Sequence, residues 1–281
     1  MKTLGYYNGI IDELEKIRVP MLDRGCYFGD GVYDVTYSRN YRLFALEEHV
    51  DRFLRSAKDL KITPCITREE LIELLYSLVR KMDDGNLWVY FQMTRGTAMR
   101  SHTFPKDTPA NLWIMLKPGE IADVYKPMRC ISMEDTRFLH CNVKTINLIP
   151  SVLAAQASAE AGVDEAIFHR GETVTECSHS NVSILKNGTL YTHPTNHLIL
   201  AGTARAHLLA CARSFGIPVV EEPYTMTDLM EADEILITST SALCMRVVEV
   251  DGKAVGGRDG DTVKKMQDAL LQDFLEATRV S

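Results

Sequence analysis

The stretch CNVKTINLIP, residues 141–150, sets a single lysine, Lys144, among Val143, Ile146, Leu148 and Ile149. Lysine normally sits where its ammonium stays in water. A lysine in an apolar stretch has therefore either run its head out to solvent or been placed there for its nitrogen. The segment follows the strand-like run RCISME (129–134). It precedes PSVLAAQASAEAG (150–162), a helix with Pro150 near its first position and Gly162 just past its end. Apolar surroundings and a following helix N-terminus both favour the neutral amine, the form that Schiff-base chemistry needs. Taken alone, the segment fits more readily a lysine whose stem packs and whose head escapes.

Upstream, GVYDVTYSRNYRLFAL (31–46) reads as a hairpin turning near Arg39-Asn40. ALEEHVDRFLRSAKDLKI carries apolar residues at 46, 50, 53, 54, 57 and 60, a helical stripe. Thr67, followed by Glu70, forms a capping box ahead of a second helix. NLWVYFQMT and ANLWIML are apolar enough for buried strands, and Lys117-Pro118-Gly119-Glu120 is the candidate linker. Downstream, DEAIFHRGETVTE predicts a hairpin turning at Arg170-Gly171, and NVSILKNGTLYTHP another at Asn187-Gly188. GTARAHLLACARSFG predicts a helix, as does the C-terminal run with Val263, Met266, Leu270 and Phe274 on one face. Strands and helices cluster rather than alternate strictly, which predicts an α+β protein of two domains. Residues 1–118 would form a small N-terminal α/β domain, 119–125 a linker and 126–281 a larger C-terminal α/β domain.

The composition of the 281 residues is that of a globular protein, with 46% hydrophobic and 25% charged residues. A net charge of −7 argues against nucleic acid or an anionic membrane as the main partner. The N-terminal residues lack an apolar core and a small-residue cleavage site, so no signal peptide is expected. No run reaches the roughly 18 apolar residues of a membrane span. The seven cysteines are odd in number and contain no CxxC pair, which predicts reduced thiols, a cytoplasmic location and no zinc site.

The standard nucleotide loops are missing: Gly29-Asp30-Gly31 begins like a dinucleotide fingerprint, but position 34 is Asp, and no Walker pattern occurs. His193 and His197 have metal-ligand spacing, yet Pro194 between them argues against a regular helix and against a metal. Three stretches join Lys144 instead. TVTECSHSNV (173–182) places Glu176 at a strand end, where a carboxylate could face a pyridinium nitrogen. ILAGTAR (199–205) puts glycine and small residues at a helix start, where backbone N–H groups can hold a phosphate. ITSTSA (237–242) supplies hydroxyls after an apolar strand. A lysine, an acid and two phosphate-binding candidates are the equipment for pyridoxal 5′-phosphate (PLP).

Seven motifs in this order, DRGCYFGDGVYDV, HVDRFLRSA, TRGTAMRSHTFP, VKTINL, TVTECSHSNV, LYTHP…ILAGTAR and ITSTS, resemble the fold-type IV PLP enzymes, and among them the D-amino acid aminotransferases. The resemblance runs from about residue 5 to 265. It implies that the cofactor lies between the two domains, that Lys144 is the Schiff-base lysine and proton shuttle, and that Glu176 pairs with the pyridine nitrogen. It implies further that Arg52, the backbone of Thr203 and Ala204, and Ser239 and Thr240 hold the phosphate, and that Leu200 lies against the ring. Periodicity, by contrast, leaves Arg52 off the apolar stripe as a solvated residue. Tyr33, Arg100 and His102 would hold the substrate carboxylate, the last two reaching in from a partner subunit, which implies a homodimer. Without the resemblance, Arg100-Ser101-His102 reads as an exposed basic loop.

The activity so implied is ping-pong transamination between a D-amino acid and a 2-oxo acid. Four positions depart from the family pattern: Cys177 for glycine, His179 for serine, Ala204 for threonine and Arg246 for proline. Within the same fold, 4-amino-4-deoxychorismate lyase and branched-chain L-aminotransferase are alternatives. The glycine-rich loop of the latter is absent, since only Gly96 occurs in 96–105. A PLP-binding carrier without turnover is a third.

Overall fold

A computed structural model describes residues 1–280 and divides the chain into two compact units. One comprises Met1–Glu120, Val143–Asn147 and the chain end from Leu275; the other comprises Ile121–Asn142 and Leu148–Phe274.

In the first unit the described residues form an antiparallel sheet of β1 (Leu4–Tyr7), β2 (Ile10–Asp12), β3 (Gly31–Arg39), β4 (Arg42–Leu43), β5 (Leu87–Thr94) and β6 (Asn111–Pro118), in the order β2-β1-β6-β5-β3-β4. The hairpin expected over 31–46 is β3–β4, and Asn40 and Tyr41 at its turn both take positive φ. β1–β2 is a hairpin that the sequence reading passed over, although Asn8-Gly9 between apolar runs is a turn signal. β6 runs through Lys117 and Pro118, so the candidate linker begins inside a strand.

Along β3 the side chains alternate, with Val32, Asp34, Thr36 and Ser38 buried. α2 (Leu46–Asp59) and α3 (Arg68–Val79) cover that face. Val50, Phe53, Leu71 and Leu75 enter one core with Val89 and Phe91, and Phe53 meets Phe91 edge-on at 5.0 Å. The Thr67–Glu70 capping box is formed from both ends. α2 buries a second, polar stripe as well: His49, Arg52 and Ser56, at helical i, i+3, i+7 spacing. A short helix, α1 (Arg24–Phe28), precedes β3; Asp23 caps it by accepting from the Gly25 N–H, and Gly29 ends it in the left-handed conformation.

The Lys144 segment joins this unit through β3. Tyr33 N–H donates to the Lys144 carbonyl at 3.0 Å, Ile146 N–H to that of Gly31 at 3.2 Å, and Lys144 N–H to Ser56 Oγ at 3.2 Å. These are pairings over more than 80 residues of sequence, and they explain why Val143–Asn147 clusters apart from its sequence neighbours.

The second unit is built on a mixed sheet of β7 (Met128–Glu134), β8 (Glu165–Arg170), β9 (Thr173–Cys177), β10 (Asn181–Lys186), β11 (Thr189–Thr192), β12 (Val219–Glu221), β13 (Glu234–Ser239), β14 (Leu243–Val250) and β15 (Lys253–Ala254). The order is β12-β11-β10-β13-β14-β7-β8-β9, with β15 on β14. Both expected hairpins form, β8–β9 and β10–β11, the second with Asn187 and Gly188 at positive φ. β8 includes Arg170, which moves the first turn one residue on, to Gly171-Glu172. α4 (Ile149–Glu160) carries Pro150 in its first turn, α5 (Thr203–Ser214) starts from Gly202, and α6 (Met226–Met230) follows β12. α7 (Gly260–Ala277) buries Val263, Met266, Leu270 and Phe274, the expected face.

Candidate active site

Lys144 is half-buried. Its Nζ lies 3.4 Å from the Tyr33 hydroxyl and 4.4 Å from the Tyr33 ring centroid. Tyr33 emerges on the face of β3 opposite Asp34 and stacks on Tyr90 with centroids 5.4 Å apart. The amine is thus held by a hydroxyl and a π face, two contacts that leave its nitrogen available for chemistry.

Behind Tyr33, Asp34 is fully buried. It accepts from Arg52 Nε at 2.9 Å and Nη2 at 2.7 Å, and its Oδ1 lies 2.8 Å from His49 Nδ1. Burial opposes ionisation of Asp34, but the Arg52 guanidinium and His49 outweigh it and hold the carboxyl well below the usual range. Burial lowers the His49 pKa in spite of Asp34. Arg52 is 5% exposed, which corrects the solvated placement expected from periodicity. An apolar stripe finds only apolar partners, whereas Arg52 is buried because a carboxylate waits across the helix–sheet interface.

Arg100, Ser101 and His102 are exposed. Arg100 and His102 both pack on Phe28, at 4.9 Å and 5.1 Å from its centroid. The first unit therefore brings Tyr33 to Lys144, and Arg100 to His102.

In the second unit Glu176 is the penultimate residue of β9, buried. Arg137 Nη1 donates to its Oε1; Asn181 Nδ2 and the Leu200 N–H donate to Oε2 at 2.9 Å and 3.0 Å. Burial pushes the Glu176 carboxyl up, and Arg137 pulls the other way. Arg137 is itself fixed by Asp135, at 2.9 Å through Nε and 2.8 Å through Nη2. Asn181 also donates to the Leu200 carbonyl at 2.9 Å, tying the acid to the turn before α5. A Cβ at Gly202 would sit 2.0 Å from Asn181 Oδ1, so only glycine lets that turn approach. Thr203, buried, and Ala204 open α5, whose cap residue Gly202 offers no side chain to the first N–H groups. Ser239 ends β13 with its hydroxyl 3.1 Å from that of Ser241, and Thr240 stands between them.

Sequence reasoning missed Arg137, Asn181, Asp34 and His49. A signal existed for His49, since 49, 52 and 56 form a polar stripe at helical spacing. None existed for Arg137, whose importance comes from a contact across 39 residues. Of the four departures, His179 places Nδ1 3.0 Å from Glu165 Oε2 and 2.9 Å from Ser178 Oγ. Arg246 is bidentate to the buried Glu234 at 2.7 and 3.0 Å. Cys177 is a buried thiol that burial holds well above its usual pKa. Nothing in the structure explains Ala204.

These donors fit PLP. A half-buried amine beside a tyrosine suits the aldehyde, a buried carboxylate suits a protonated ring nitrogen, and a helix start without a side-chain cap and the hydroxyls at the end of β13 are each of the kind that suits a phosphate.

The profile of the amino-transferase class IV family matches residues 31–250. The D-alanine aminotransferase of Listeria monocytogenes serotype 4b (strain F2365) is 38% identical over 99% of this chain and 97% of its own. That of Staphylococcus haemolyticus is 37% identical over 95% and 96%. Among solved structures, a branched-chain aminotransferase from Thermoproteus uzoniensis with norvaline superposes with a TM-score of 0.87 at 25% identity, covering 96% of this chain and 93% of that one. The branched-chain amino acid aminotransferase from Escherichia coli gives 0.89 at 22% identity over 99% and 96%, a likeness of fold alone. With a family match across most of its length and full-length relatives at this identity, the chain belongs to the class IV aminotransferase family.

Proposed function

We propose that the protein catalyses PLP-dependent transamination between a D-amino acid, such as D-alanine or D-glutamate, and a 2-oxo acid, by a ping-pong route. The observation that carries this reading is the Lys144 amine on Tyr33, in a chain 38% identical along its length to D-alanine aminotransferases. When bound, PLP supplies an electron-accepting ring that stabilises negative charge at the substrate Cα and stores the amino group. Lys144 would hold the cofactor through Nζ, and its amine would take the proton from the substrate Cα. Tyr33 orients that amine. Glu176, steadied by Arg137, Asn181 and the Leu200 N–H, would keep the pyridine nitrogen protonated. Arg52, the start of α5 at Thr203 and Ala204, and the hydroxyls of Ser239 and Thr240 would receive the phosphate, and Leu200 would lie against the ring.

Lys144 works on one face only, so the Cα–H bond must point to it. Which enantiomer reacts then depends on where the carboxylate is held. Arg100 and His102, with Tyr33, hold it on the side that selects the D form. The branched-chain alternative draws on the fold and lacks the full-length identity of the D-alanine enzymes. The test is the visible spectrum of the holoenzyme: the band should bleach with D-alanine and persist with L-leucine, and bleaching by L-leucine alone would reverse the assignment.

The proposed enzyme is a homodimer in which Arg100 and His102 serve the partner's site. The seven cysteines are free thiols, which suits the reducing cytoplasm proposed for it. Mixing inactive Lys144→Ala and Arg100→Ala chains should then regenerate one intact site per mixed dimer. After subunit exchange, activity should return to roughly a quarter of wild type, from half the dimers with one of two sites intact. No recovery despite demonstrated exchange would place the trap within its own subunit.

A further inference from the structure

Arg100 and His102 lie on an exposed loop, yet a loop that selects an enantiomer must be stiff. The structure shows what holds it. Arg24, on α1, is 3% exposed. Its Nε donates to Asp30 Oδ2 at 2.7 Å and its Nη1 to the Ser101 carbonyl at 2.7 Å, between the two carboxylate-binding residues. Its backbone N–H donates to the Gly96 carbonyl at 3.0 Å, and the Ala98 N–H to that of Leu22 at 3.1 Å. The Tyr27 hydroxyl donates to the Ala98 carbonyl. The far end of the loop is bound by Arg95, which shares the Asp30 carboxylate at 2.9–3.1 Å and lies 3.6 Å over the Phe104 ring. Phe28, on the last turn of α1, carries Arg24, Arg100 and His102 on its ring at 4.8, 4.9 and 5.1 Å.

We propose that Arg24 is a positioning residue for the substrate carboxylate, acting with Phe28 to hold Arg100 and His102 in their binding geometry. The proposal rests on the reading of Arg100 and His102 as the carboxylate trap. A guanidinium suits the task because its planar fork satisfies Asp30 and the Ser101 carbonyl together, whereas an ammonium is a point donor. Phe28 limits the swing of Arg100, so less freedom is lost when a carboxylate binds.

The test measures KM and kcat for D-alanine, competitive inhibition by propionate, and bound cofactor, in the holoenzyme. Arg24→Gln should raise KM and the propionate Ki together by about tenfold, a free-energy change of ~1.4 kcal/mol. Cofactor content should hold and kcat should change less than about twofold, since the lost interaction acts on binding. Arg24→Lys should fall between. Phe28→Leu, which keeps bulk and spares Asp30, should raise Ki as well and covers the case in which Arg24→Gln fails to fold. Arg100→Ala, run in parallel, separates the two readings. If Arg100→Ala raises Ki while Arg24→Gln or Phe28→Leu lowers only the melting temperature, the positioning role is overturned and the trap stands. If Arg100→Ala leaves Ki unchanged, the trap itself is overturned, and the positioning role with it.

Discussion

Replacing Lys144 by alanine should lower kcat by roughly 10⁴-fold, the upper end of what a positioned acid–base group contributes. The loss should be chemical rather than structural. The backbone of Lys144 is held by the Tyr33 N–H and by Ser56 Oγ, neither of which needs the side chain. Beyond Cβ the side chain contacts Tyr33, whose stacking on Tyr90 remains. Cofactor should still bind, and the melting temperature should stay close to wild type. A small primary amine in the buffer should restore part of the rate, because the role proposed for the missing group is that of a proton carrier of this kind. Pre-steady-state absorbance during a single turnover reads the step directly. Wild-type turnover in this variant would remove Lys144 from the mechanism.

Asp34→Asn should destabilise the protein by about 3–5 kcal/mol, the cost of stripping one partner from a buried ion pair. Asp34 accepts both contacts from Arg52 and one from His49. The amide keeps the shape but loses the charge that offsets the buried guanidinium. The folded pKa of Asp34 lies below its unfolded value near 3.9. Its ionised form therefore stabilises the fold fully above about pH 5 and loses that contribution as pH falls toward the folded pKa. Urea unfolding at pH 7 and below pH 4 checks both parts. The gap between wild type and variant should narrow on acidification. A gap under about 1 kcal/mol at pH 7, in the range of an exposed pair, would mean that Asp34 does not hold Arg52 in place.

Wherever one local rule decided the outcome, the residues themselves were sufficient. The Thr67 capping box, the Asn187-Gly188 turn and the 31–46 hairpin depend on contacts within a few residues, the apolar face of α7 is set by its helical spacing, and all form as read. The α+β class followed from the clustering of such elements. The motifs around Lys144, Glu176 and Thr203 carried the family resemblance, which the class IV match over residues 31–250 bears out. Tertiary structure alone decided the surroundings of those residues. The Lys144 segment joins the first unit by pairing Lys144 with Tyr33 and Ile146 with Gly31, each more than 110 residues earlier. Arg52 is buried because Asp34 faces it, Glu176 is steered by Arg137, and Arg24 reaches Ser101. Each of these is a charge or a carbonyl meeting a distant partner. Periodicity reports which side of an element is apolar, whereas the burial of a charge depends on what stands opposite, and only the folded chain supplies that partner.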